Sequence, residues 1–206
     1  VKNQPSSNLL KALAVCAELT GTDLSQSAIR VMADDLAQFP EHQVLGALTR
    51  CRKELKGRIT IADVINRLDD GRPGPQEAWS IVAPALDNED ISIVMSDEMA
   101  HANGIAHQLS HDKVAARMAF IEAYQSAVSE ARNAGKPVHW LPSLGHDKAG
   151  RDGPLLAAVE AGRLLPDHVS QFLIGDNSQT ELKRIGNAIA MKGLLRDFGT
   201  DTGLQP

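Results

Sequence analysis

Four times before Asp69 the chain spaces apolar side chains three and four positions apart and then breaks the pattern with a turn former. A helix satisfies that period and a strand does not, so the first third of the chain is constrained to a small helical bundle. Leu10, Leu13, Ala14 and Ala17 make the first stripe, ended by Thr20-Gly21-Thr22. Ile29, Met32, Ala33 and Leu36 make the second, within a helix expected over residues 25–39. Pro40 stands where a third helix begins, because the first turn does not need its missing N–H. Val44, Ala47, Leu48, Cys51 and Leu55 form that helix's stripe, and Gly57 stops it. The fourth start is the best marked: Thr60 suits an N-cap, Asp63 suits the positive helix end, and Ile59 and Val64 are spaced as a hydrophobic staple. Ile61, Val64, Ile65 and Leu68 then share one face.

The segment Asp69-Asp70-Gly71-Arg72-Pro73-Gly74-Pro75 closes this first unit. Beyond it, residues 76–82 read as a short helix, residues 91–95 as a short strand or extended connector, and residues 96–109 as a helix around Gly104. The long helix Asp112–Ala134, with Ser110 as its cap, carries a stripe of Ala116, Phe120, Ala123, Ala127 and Ala131 and ends at Gly135 and Pro137. Residues 137–153 read as a loop, residues 154–161 and 166–173 as short helices, and residues 181–198 as an amphipathic stretch with Leu182, Ile185 and Ile189 on one side. Residues 200–206 are expected to fray. The expected fold is mainly all-α: a four-helix unit (1–70), an acidic connector with short elements (71–110), a second, looser helical unit (111–175), and an amphipathic helix with its tail (176–206). With 27 alanines and only seven aromatic residues, its cores must be filled by close helix packing rather than by large rings.

Charge is unevenly spread. Residues 1–75 carry ten basic and nine acidic side chains, residues 76–112 none and seven, and residues 113–206 eleven and ten. The acidic middle is read as a solvated connector, or as a surface that repels nucleic acid or docks a basic partner. Cys16 and Cys51 fall on apolar helix faces and are expected to be buried thiols. No apolar run approaches a membrane span, and the first residues lack a signal-peptide pattern, so a cytoplasmic protein is expected.

Catalytic patterns are missing. The chain has no nucleophile elbow, no phosphate-binding loop and no dinucleotide fingerprint. His101, His107 and His111 cluster in sequence, but their spacing does not place them on one helix face, so neither a metal nor another cofactor is expected. The stretch from Trp140 to Arg151, with His146 and Asp147, is a candidate functional loop; Trp140 and Leu144 are alternatively plugs that pin it to the long helix. Arg50, Arg52, Lys53, Lys56 and Arg58 crowd the end of the third helix, where they complement the helix dipole or contact phosphates without reading bases. A helix-turn-helix starting at Gly57 is disfavoured, because the connection after Leu68 is too long and holds two prolines.

The run from Ala28 to Leu48, followed by Ile59-Thr60-Ile61-Ala62-Asp63-Val64, resembles the N-terminal helical domain of phage replicative-helicase loaders. In that family a helix ending in a Leu-x-x-aromatic-Pro turn leads to a helix with an Ala-Leu pair and then to a Thr/Ser-capped helix. The chain lacks the family's proline before Thr60, and residues 113–164 resemble only uncharacterised prophage proteins. The resemblance implies a non-enzymatic accessory protein of phage or prophage DNA replication that binds the replicative helicase and single-stranded DNA. Other readings are a DNA-binding regulator, a helical interaction module for another partner, and an enzyme of unfamiliar type using the His146 loop.

Overall fold

A computed structural model describes residues 4–199, with side chains described as far as Met191. It is mainly helical: 62% helix, with ten helices and one two-stranded antiparallel sheet among the described residues. The chain divides into two units, residues to Pro73 together with Gln125–Val138, and Gly74–Tyr124 together with the chain from His139. The expected fraying of residues 200–206 lies outside the described residues.

In the first unit, α1 (Ser7–Leu19), α2 (Gln26–Leu36), α3 (Glu41–Glu54) and α4 (Ile61–Ile65) follow the four stripes read from the sequence. Ser6 and Ser25 cap α1 and α2 by accepting from the amides of Leu9 and Ala28. The best-marked start forms a full capping box, with Thr60 Oγ1 accepting from the Asp63 amide and the Asp63 carboxylate accepting from the Thr60 amide. Two helices are shorter than expected. Helix α2 stops at Leu36 rather than near residue 39, and α4 gives way to turns after Ile65, although Leu68 remains buried. The core joins Leu9, Leu13 and Cys16 of α1 to Leu36, Val44, Leu48, Cys51, Ile59 and Val64. Leu10 and Ala14, expected in the first stripe, lie at its half-buried margin, while Leu9 and Cys16 point into it.

The long helix is α7 (Lys113–Asn133), and its second half belongs to the first unit. Its cap is Asp112 rather than Ser110, since Asp112 Oδ1 accepts from the amides of Val114 and Ala115. Its buried stripe is Ala116, Phe120, Tyr124, Val128 and Ala131; the expected Ala123 and Ala127 are only half-buried. Gly135 ends the helix at φ 62, with the Lys136 amide donating back to Ala131 O at 2.9 Å, the long-range bond of a Schellman turn.

In the second unit come α5 (Pro75–Val82), a 3₁₀ turn, β1 (Ile93–Ser96), α6 (Asp97–His107), β2 (Trp140–Ser143), α8 (Asp152–Glu160), α9 (Pro166–Ser170) and α10 (Asp176–Gly199). The loop expected over residues 137–153 therefore contains a strand. It pairs antiparallel with β1, Ile93 opposite Ser143 and Ser96 opposite Trp140. Pro142 lies opposite Val94 in a pair that has no third strand, where its missing N–H is tolerated. Val94, Leu155, Val159, Val169, Leu173, Leu182 and Ile185 form the core that holds α8, α9 and α10 together. Ile189, expected on the apolar side of α10, is exposed. No described helix is long and apolar enough to cross a membrane.

Candidate nucleic-acid interface

The five cations at the end of α3 are not equivalent. Arg50 donates to Arg67 O and to the Asp69 carboxylate, both at 3.1 Å. Half-buried Arg52 folds back to Thr49 Oγ1 at 3.0 Å. Glu54, the one acid within the cluster, is held by Arg67 Nε at 2.9 Å, and Arg67 also reaches Asp63. Lys53, Lys56 and Arg58 are exposed and make no hydrogen bond or ion pair with any described residue.

Lys53 stands on the last turn of α3, and the stretch that carries Lys56 and Arg58 is hydrogen-bonded at both ends. The Leu55 amide donates to Cys51 O at 2.9 Å, ending the helix, and the Ile59 amide donates to Thr22 Oγ1 at 2.9 Å. Ile59 is buried, and the capping box begins at the next residue. The end of α3 and the stretch after it thus carry three exposed cations without a described partner. Such an array gives attraction without base reading, because it offers no fixed, planar donor pattern to a base edge. The neighbouring thiols are buried: burial raises the Cys16 thiol, and burial pushes Cys51 up to about 11 despite Arg67.

A helix-turn-helix is not built here. Helix α4 has five residues, and the next helix starts only at Pro75, well beyond a three- or four-residue turn.

The second candidate, the Trp140–Arg151 stretch, is anchored by backbone bonds. The Gly145 amide donates to Ser92 Oγ at 2.9 Å, and the amides of His146 and Asp147 donate to Glu89 O and Asp90 O. Any Cβ on Gly145 would overlap the Asp90 carbonyl and the Ile91 backbone, so only glycine allows this approach. Arg151 reaches Gly145 O at 3.1 Å, and Asp147 accepts from the Ala149 amide. Trp140 is half-buried against the α8–α10 core with the Arg163 guanidinium 4.6 Å from its ring centroid, so it plugs the unit, whereas Leu144 is exposed. The His146 ring is exposed, with Glu89 at 3.9 Å, and no hydrogen bond joins it to Asp147 or Arg151 among the described residues. His139 instead meets Asp97 at 3.1 Å. His101, His107 and His111 are all exposed, and no described group of three or more His, Cys, Asp or Glu could hold a metal ion.

Two features had no counterpart in the sequence reading. One is the half-buried carboxylate of Asp70, held between Arg72 and Arg132; only its place in an Asp/Gly/Pro turn drew notice to it. The other is a second apolar row on α7, Val114, Met118 and Ile121, spaced at i, i+4 and i+7 beside the buried stripe. That spacing was readable but was masked by the richer stripe. Comparison with known proteins returns no match: no family model, no curated protein and no solved structure.

Proposed function

We propose that the chain is a non-enzymatic accessory protein of phage-type DNA replication, an adaptor that binds the replicative helicase and meets single-stranded DNA with Lys53, Lys56 and Arg58. The observation that carries the DNA contact is the exposure, without a described partner, of Lys53 in the last turn of α3 and of Lys56 and Arg58 between the hydrogen-bonded Leu55 and Ile59. The helicase contact rests on the resemblance of residues 28–64, whose motif positions supply buried Leu36 and Leu48 and the Thr60 cap of one small bundle.

The reading is tested by titrating labelled single-stranded DNA with the full chain at several salt concentrations, alongside binding of a purified replicative helicase. Each phosphate contact on a single strand contributes about 0.7 to the log–log salt slope, so Lys53→Ala, Lys56→Ala and Arg58→Ala together should lower it by about 2. Helicase binding should survive that change. No measurable DNA affinity at low salt removes the DNA contact, and no complex with the helicase removes the adaptor role.

A further inference from the structure

The second apolar row of α7 lines an open groove of about 720 Å³ in the second unit, with Trp79 and Leu86 on the opposite wall. Val114 and Met118 are 70% and 68% exposed within it, so no described residue covers them. Its edges are polarised. Lys113 and Arg117, one turn apart, stand on the α7 side, where Arg117 also donates to Gln76 Oε1 of α5 at 2.6 Å, and exposed Asp87 stands on the other.

Helix α10 supplies a matching element, uncovered over residues 187–191. It packs through Leu182 and Ile185, and Gly186 lies against Pro166. From Asn187 to Met191 every residue is exposed, with Met191 at 66%, while the helix runs on to Gly199. A helix end exposed on all sides gains no packing energy and needs a partner to persist. In the sequence, Ala188, Met191, Leu195 and Phe198 recur at one-face helical spacing; Lys192 and Arg196, four apart, flank that row on one side, and Asp197 and Asp201, four apart, on the other. The groove wants this pattern: an apolar row, an acidic edge toward Lys113 and Arg117, and a basic edge toward Asp87.

We infer that the α5–α7 groove is a docking site for residues 188–201 of a second copy of this chain, exchanged reciprocally to close a two-fold dimer. Sedimentation velocity of the full chain over a concentration series should then show a monomer–dimer equilibrium. Met118→Glu in the groove and Leu195→Glu in the tail should each leave only monomer. Their equimolar mixture should regain a heterodimer, because one groove and one tail remain intact. Lys113→Glu with Arg117→Glu should weaken the dimer at least tenfold, and adding Asp197→Lys with Asp201→Lys should restore it. If Met118→Glu does not fold, judged by circular dichroism, Val114→Glu takes its place. A wild-type chain that stays monomeric at the highest attainable concentration overturns the inference. So does a dimer lost with Leu195→Glu but kept with the groove variants, which would mean that tails pair with each other.

Discussion

Asp70 grips Arg132 side-on, its Oδ2 2.9 Å from Nε and its Oδ1 2.9 Å from Nη2, across 62 positions of sequence. The same carboxylate takes Arg72 Nη1 at 2.7 Å, and both arginines spend further donors on main-chain carbonyls: Arg132 on Asn66 and Leu68, Arg72 on Lys136. The α3–α4 side of the first unit is thereby tied to the end of α7. Because the pair is mostly buried, removing one partner leaves a desolvated charge, and Asp70→Ala should cost about 3 kcal/mol in a urea titration. Arg50→Ala, which breaks the exposed pair with Asp69 and the exposed hydrogen bond to Arg67 O, should cost about 1 kcal/mol or less.

The same carboxylate sets a pH dependence. Burial alone would raise its pKa, but the hydrogen bonds and charges of Arg132 and Arg72 outweigh burial and hold it below the ordinary carboxylate range. A group depressed in the folded state stabilises above its unfolded value, about 3.9, and that contribution is lost as pH falls through the folded value. The stability gap between the wild type and Asp70→Asn should therefore be constant near neutrality and shrink below about pH 4. Urea midpoints at pH 7, 5, 4 and 3 measure it.

Gly145→Ala should destabilise the second unit by about 1–3 kcal/mol, since the methyl group meets backbone, which cannot swing aside. Gly104→Ala, in open space within α6 of the same unit, should be slightly stabilising. A pair of thermal melts separates the two.

Cys16 and Cys51 should resist an aromatic disulfide reagent at about pH 8 in the native protein and react fully in urea. Raised thiols act on stability in the opposite direction from Asp70. Their contribution is intact below the unfolded thiol value, about 8.5, and falls as pH climbs toward about 11, the folded value of Cys51. Replacing Cys51 with Ala should flatten the alkaline limb of the stability profile.

Helices α1 to α4 were legible because each carries its own punctuation: a serine or threonine cap, or Pro40, at one end and a turn former at the other. The strand β2 was not, since Pro142 and the glycines after it read as loop, and only its partner β1 gives Trp140–Ser143 a ladder. The stripe of α7 was read correctly at Ala116, Phe120 and Ala131 and missed at two positions, because alanines lie on several of its faces and nothing local says that Tyr124 and Val128 go inward while Ala123 and Ala127 stay at the margin. In the basic cluster the residue types were visible, but not that Asp69 and Thr49 engage Arg50 and Arg52 and leave Lys53, Lys56 and Arg58 free. Partner choice depends on distances that sequence spacing does not encode.

The two units are interleaved along the chain, the first being completed by Gln125–Val138 after the second has begun at Gly74. On a ribosome, Asp70 and Arg72 therefore wait for Arg132 while the stretch to Val138 is made, roughly 3–13 s at ordinary elongation rates. During that interval the core drawn from Leu9 to Leu68 is complete in sequence, while the tie from Asp70 to Arg132 is not yet there to form. Heredity meets the same topology: a single recombination joint cannot exchange one unit and leave the other whole, so the pair is passed on as one indivisible block.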